Sequence, residues 1–341
     1  MTALGQLTPS PQPPVRPRRW PLALGVVSVI LLLGVLLVLS PWDRARGQWL
    51  QDQYTVLTQP SPPEIVAIAD ATGMSETGRL IFLASTPAIE AAEDFNDDCR
   101  VESEGTLGCF DGTDIYVYDV TDPRLQGTIE VTAAHEMLHA AYQRLSREER
   151  AEVDALVAEA VDELPPDDPV FDDMAGYPAS QFPDEWHSRL GTEFGDLSPA
   201  LEAHYARYFD DRGLVLALDR QSTALLDELT AQLDALAAEV ADLDAAVTAR
   251  SAAYDAALAA YDADVEAFNA KADSGGFTSQ QQFDAARADL VARQQALDEE
   301  RTALNAQIDH YNELVDQLTA LDADYADLYQ GLDSTDPPSG P

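Results

Sequence analysis

Lysine is almost absent from this chain. Lys271 is the only one, and the 20 basic side chains, otherwise all arginine, face 61 acidic ones. The formal net charge of -41 removes the electrostatic footprint by which proteins hold nucleic acid, so no nucleic-acid partner is expected. An Ala-rich, Asp-rich, Lys-poor bias fits genome composition and a salty habitat equally. Histidine is scarce, with five residues, so any clustering of it is informative. Cysteine is limited to Cys99 and Cys109, with no further thiol or paired histidine nearby at the spacing of a zinc finger.

Long uncharged apolar runs are also missing, with one exception. Pro21 to Ser40 reads PLALGVVSVILLLGVLLVLS, which at about 1.5 Å per residue matches a hydrocarbon core of roughly 30 Å. Arg16, Arg18 and Arg19 precede it, and Arg44 and Arg46 follow with Asp43 ahead of them, a balance that modestly favours a cytoplasmic N-terminus. The flank LSPWDR has no A-x-A-like site and the run exceeds the usual apolar stretch of a signal peptide, so an uncleaved anchor is expected over a cleaved leader. Residues 1–19 then form a disordered cytoplasmic tail, 20–40 a transmembrane helix, and everything from Pro41 lies outside the membrane. In that setting Cys99 and Cys109 oxidise to close a short loop, the alternative being two free thiols.

The 46% hydrophobic content of 341 residues is enough for a buried core and two domains. Residues 41–59 read as a juxtamembrane linker with a short helix, closed by the proline-rich TQPSPPE. An α+β domain is expected over 60–212. PEIVAIADATG is helix-like, GRLIFLAS strand-like, PAIEAAEDFND helical, and Ile115 to Val120 strongly strand-like. A helix then starts near Thr128 and stops near Ser146, which with Glu149 makes a capping box for the next helix. DEWHSRLGTEF and SPALEAHYARYFDD continue a mostly helical second half.

The rest of the chain is a different object. Leu226, Leu233, Val240, Val247, Tyr254, Tyr261 and Phe268 recur every seventh residue, with Leu229, Leu236 and Leu243 three positions after the first members, as in a coiled-coil seam. A second seam runs through Phe283, Leu290, Leu297, Leu304, Tyr311, Leu318 and Tyr325. The break at Ser274 to Phe277 predicts an antiparallel hairpin over 221–330, with the tyrosines in its core and a disordered tail at 331–341. Its outer faces carry most of the negative charge, and it is a candidate arm for a protein partner or for self-association.

The chemistry concentrates in His135-Glu136-Met137-Leu138-His139. On a helix, residues i and i+4 share a face, so His135 and His139 can offer two imidazole nitrogens to one zinc ion at about 2.0–2.1 Å. Glu136 then sits beside the metal's open position, where it can take a proton from an activated water. The stretch AAHEMLHAAYQRL resembles the zincin superfamily of zinc metallopeptidases over roughly Pro60 to Arg212. No His-x-x-Gly-x-x-His continuation follows His139, which turns the resemblance away from the metzincins.

That resemblance implies a zincin-like domain that binds Zn2+ and hydrolyses peptide bonds, with IYVYDV as the edge strand that aligns a peptide or protein substrate. In the gluzincin-like branch a later helix supplies a glutamate ligand, and Glu185 in Asp184-Glu185-Trp186-His187 is the nearest match. Asp184 stands where asparagine is usual, and Arg189 where an acidic residue often orients a zinc-bound histidine; Glu193 in LGTEF is the rival ligand. His187 is the first candidate oxyanion donor, with His204, Tyr205 and Tyr142 behind it, while His310 falls in the hairpin as a structural residue. The expected whole is a single-pass cell-membrane peptidase with its catalytic domain outside. The alternative is a non-catalytic envelope scaffold with a structural zinc site, and the two differ in whether the fourth zinc position is open.

Overall fold

The computed structural model describes Val29 and residues 41–99 and 106–335. Among these, no helix is long and apolar enough to cross a membrane. The expected tail 1–19, the expected anchor 20–40 apart from Val29, and residues 336–341 lie outside the described residues.

The fold is mostly helical around one small sheet. Helix α1 (Pro41–Thr58) leads into α2 (Pro63–Ala71) and α3 (Glu76–Ala84). Strand β1 (Ala88–Glu90), helix α4 (Ala92–Asp98), β2 (Gly108–Phe110) and β3 (Ile115–Tyr118) follow. Then come α5 (Thr128–Arg144), α6 (Arg147–Asp162), α7 (Val170–Met174), α8 (Phe182–Thr192) and α9 (Pro199–Tyr205), before the two long helices α10 (Arg212–Asp273) and α11 (Gln280–Gln330).

Three expected elements change identity. GRLIFLAS is helical, because Ser75 accepts a hydrogen bond from the Gly78 amide and caps α3, whose Ile81, Phe82 and Leu83 are buried. A short apolar run carries no period by which strand and helix could be told apart. PAIEAAEDFND splits into β1 and α4. The sheet order is β1-β3-β2, so Ile115–Tyr118 is the central strand, parallel to β1 and antiparallel to β2. The free edge next to α5 belongs to β2, within the cysteine-flanked stretch that reads as a loop.

Helix α5 is the spine of the domain. Ala133, Ala134, Met137, Leu138, Ala140 and Ala141 are at most 1% exposed, small residues that let α3, α8, α10 and the sheet close on it from several sides. The capping box expected at Ser146 and Glu149 is present and starts α6. Arg144 at the end of α5 bonds Asp52 of α1 at 3.0 and 3.2 Å, so residues 41–59 are a docked helix and not a linker.

Cys99 and Cys109 form a disulfide that ties the end of α4 to the edge strand. Beside it lies a second apolar cluster of Phe95, Tyr118, Val120, Leu125 and Leu328, against which Leu225, Leu226, Leu229 and Leu332 pack. The hairpin is therefore seated by both arms. Its first helix starts earlier than expected, at Arg212, because Arg212 and Val215 are buried in the domain. Residues 331–335 are not a free tail either: Ser334 is fully buried, its Oγ donating to the Thr106 carbonyl at 2.7 Å and its own carbonyl accepting from Asn96 at 2.8 Å.

Beyond this base the two arms run antiparallel, turning at Gly275 with φ 69° and a Gly276 amide to Lys271 carbonyl bond of 2.8 Å. They extend about 93 and 77 Å at 1.5 Å per residue. The seam tyrosines, Tyr254, Tyr261, Tyr311 and Tyr325, are half-buried and not core, because two helices cannot enclose a shared seam. A polar layer interrupts it, in which Arg250 donates to Glu300 at 3.0 Å and to Gln307 at 3.1 Å.

Candidate metal centre

Helix α5 presents His135 and His139 one turn apart, their Nε2 atoms 3.1 Å from each other. Helix α8 approaches from across the cleft and brings Glu185 to both, with Oε1 3.6 Å from His135 Nε2 and Oε2 3.4 Å from His139 Nε2. A tetrahedral ion with donors at about 2.0–2.1 Å has donor-to-donor edges of roughly 3.3–3.4 Å. The three separations bracket that value, so this donor set fits a metal ion. Donor atoms of His135, Glu136 and His139 also lie within 4.8 Å of one another, so two carboxylates, Glu136 and Glu185, stand at the imidazole pair.

Second contacts orient the first. Asp184 Oδ1 lies 2.8 Å from His139 Nδ1, which assigns a ring proton to Nδ1 and turns Nε2 towards the site. Asp184, which stands where asparagine is usual, supplies the carboxylate that orients the histidine. Arg189, one turn after Glu185, donates to Glu185 Oε1 at 3.1 Å and lies 3.4 Å from Glu193 and 3.3 Å from Asp173. Glu193 stands 4.0 Å from Nδ1 of His135, on the far side of the ring from the Nε2 atoms.

The close approach of α8 has a local cause. A Cβ on Gly191 would stand 2.3 Å from Leu138 Cδ1 and 2.8 Å from the Tyr205 ring, so only glycine lets α8 lie this near α5. Gly191 is thus an internal contact, one residue before α8 ends at Thr192. Its C-terminal carbonyls at Leu190 and Gly191, and the Phe194 carbonyl just beyond the helix, accept from Arg212, which places the start of the long hairpin on the helix that carries Glu185.

Burial pushes the Glu136 carboxyl up, with the two imidazoles pulling the other way. For Glu185 burial acts in the same upward direction, but His135 and His139 outweigh it and hold the group ionised. His139 shows the reverse balance: burial disfavours its charge, and the hydrogen bonds to Asp184 and Glu185 raise its pKa well above the usual range.

Glu136 lies under the edge strand. A Cβ on Gly108 would stand 2.9 Å from Glu136 Oε1 and 2.5 Å from Thr132 Cγ2, so the strand backbone and the carboxylate share this space only with glycine between them. The Tyr118 amide bonds the Leu107 carbonyl and the Asp111 amide bonds the Asp114 carbonyl. By the alternation of an antiparallel ladder, the peptide groups of Gly108 and Phe110 face away from β3 onto the free edge.

The expected oxyanion donors are not brought to the site. His187 is fully buried, its Nε2 2.9 Å from that of His204, because it lies two residues, and so most of half a turn, round the helix from Glu185. Tyr205 donates to the His187 carbonyl at 2.7 Å and Tyr142 to Asp154 at 2.8 Å. These residues form a polar aromatic cluster behind the site, in which burial pushes the His204 imidazole down to about 4. Tyr177, 38% exposed, lies within electrostatic reach of Glu185, Arg189 and Glu136. It sits in a turn-rich stretch without periodicity, so no sequence signal marks it. His310 lies on the exposed side of the hairpin, 3.8 Å from Glu313.

The chain matches no family model, no curated protein and no solved structure in comparisons with each.

Proposed function

We propose that the protein is a zinc-dependent peptidase, anchored in the cell membrane by residues 20–40 with the domain outside, and that His135, His139 and Glu185 hold the ion in a zincin-like site. The observation that carries this reading is the triangle of 3.1, 3.4 and 3.6 Å between the two Nε2 atoms and the Glu185 carboxylate. Two imidazoles and a carboxylate are the donor set of catalytic zinc sites that keep a position open. His135 and His139 retain 16% and 17% of their side-chain surface, which supports an open face over a closed structural site.

Bound zinc supplies Lewis-acid activation of water and of the scissile carbonyl. Glu136, with its pKa raised by burial, takes the proton from the attacking water and delivers it to the leaving amine. The substrate chain adds to the free edge of β2, hydrogen bonding the outward peptide groups of Gly108 and Phe110, so its scissile bond lies over Glu136. Burial, followed by Glu185, pushes the Tyr177 phenol up to about 12, so it stays protonated and can donate to the developing oxyanion. Asp184 holds the His139 tautomer and Arg189 holds Glu185 in place.

The experiment is metal analysis and hydrolysis of casein by the purified full-length protein. About one zinc per chain and cleavage abolished by chelation are expected. A wild-type protein from a zinc-replete preparation without stoichiometric metal would sink the proposal.

A further inference from the structure

Among the described residues, the large apolar side chains more than half exposed are Val29, Trp49, Leu50, Tyr54 and Leu57, at 58%, 53%, 60%, 67% and 80%. The first lies in the apolar run of 20–40 and the other four in α1, which begins directly after it. Leu50, Tyr54 and Leu57 are spaced four and three residues apart, so they share one helix face, and Trp49 borders it. The opposite face is fastened to the domain. Asp52, 5% exposed, bonds Arg144 at 3.0 and 3.2 Å, and Val56 packs against the main core. An apolar stripe of this size on a chain of net charge -41 asks what covers it.

We propose that this stripe of α1 rests in the headgroup layer of the bilayer, so that α1 is a foot on which the domain stands. The inference rests on the anchored reading of residues 20–40. That run ends at Ser40, and α1 starts at Pro41; proline is a residue that starts a helix or bends one. At about 1.5 Å per residue the stripe then begins some 12 Å from the membrane exit and ends near 24 Å. A helix lying along the surface keeps all of it within the interface, whereas one standing upright carries it into water. Tryptophan and tyrosine are the side chains that favour this layer, having an apolar body and a polar tip, and leucine fills the apolar side of such helices. Because Arg144 ends the helix that carries His135 and His139, the foot sets the attitude of the metal cleft to the membrane.

The test uses full-length protein in phosphatidylcholine and phosphatidylglycerol vesicles, with Leu50→Cys, Tyr54→Cys, Leu57→Cys or Gln51→Cys carrying an environment-sensitive fluorophore. Cys99 and Cys109 are bonded to each other, so the label goes to the introduced thiol, and all four positions are exposed. Expected is a blue-shifted probe at 50, 54 and 57, quenched severalfold more by shallow nitroxide lipids than the probe at 51. Equal, weak quenching at all four in protein that still floats with the vesicles overturns the foot and leaves the anchor standing. Protein that does not float overturns both. A blue shift without lipid quenching that disappears on dilution overturns the proposal in favour of a second copy on this face.

Discussion

Helix α5 and the hairpin arms are both amphipathic, yet different forces hold them. Six elements close on α5, and its alanine-rich faces are sealed; of the 51 residues of the hairpin helix α11, only Leu304, Leu314 and Leu328 are buried. Enclosure from several sides fixes position to a fraction of an ångström, as a metal site demands. Two helices alone cannot seal a seam, so a polar layer such as Arg250 with Glu300 and Gln307 sits partly exposed within it and marks one register of the arms through its hydrogen bonds. The domain depends on packing and the hairpin on pairing.

The comparison breaks most sharply with one substitution in each region. Glu136→Gln keeps the shape of the side chain but not its basicity, and is expected to lower peptide hydrolysis about 10²–10⁴-fold with metal content unchanged. Glu300→Gln, the same change in the hairpin, should leave hydrolysis within about twofold. Casein cleavage by the two variants decides it, and activity retained in Glu136→Gln would remove the proposed general base.

Within the domain, distance separates ligand from neighbour. Glu185→Ala is expected to weaken zinc affinity by more than about 10-fold, and Asp184→Ala by about 10-fold through the orientation of His139, whereas Glu193→Ala changes it little. Competitive chelator titration ranks the three. Loss of zinc in Glu193→Ala with Glu185→Ala at wild-type affinity would reverse the assignment.

A contrast in stability comes next. Gly191→Ala overfills the α5–α8 contact and should cost about 1–3 kcal/mol. Arg250→Ala removes a bond between partly exposed groups and should cost less than that. Thermal denaturation followed by near-ultraviolet circular dichroism reads the first and far-ultraviolet the second. Equal losses would mean that the hairpin is as tightly packed as the domain.

The last contrast concerns pH. His204 faces His187, with Arg207, Tyr208 and Glu149 around it, and its imidazole is pushed down to about 4 by burial and then by Arg207. The unfolded chain, with an ordinary histidine near 6.5, binds the proton first. This contribution to stability is therefore complete above about pH 6.5 and is lost as pH falls towards 4. In His204→Gln that part of the acid sensitivity should vanish, as urea melts between pH 4 and 7 would reveal.

Legibility in the sequence followed the length and period of each signal. The hairpin repeats its seam over many heptads, and α5 and α6 carry a boundary and a capping box, so their extents were readable. GRLIFLAS and PAIEAAEDFND were misassigned because eight to eleven residues hold too few periods and the cap at Ser75 went unweighed. The edge strand was missed because β2 has three residues, one of them glycine, and reads as a turn. Tyr177 left no trace, since a residue on a turn-rich segment has neither motif nor period.

The sequence by itself determined the pair of imidazoles on one helix face, the glutamate between them, the two cysteines in reach of each other and the hairpin with its turn. Each depends on spacing along the chain, which local backbone geometry converts directly into position. Only the tertiary structure brought Glu185 within 3.6 Å of both Nε2 atoms and left Glu193 at Nδ1 of His135, turned Asp184 into the partner of His139, withdrew His187 into the core and put Gly108 over Glu136. Those outcomes depend on how closely α8 and β2 approach α5, a distance set by Gly191 and Gly108 against side chains more than twenty residues away in the sequence.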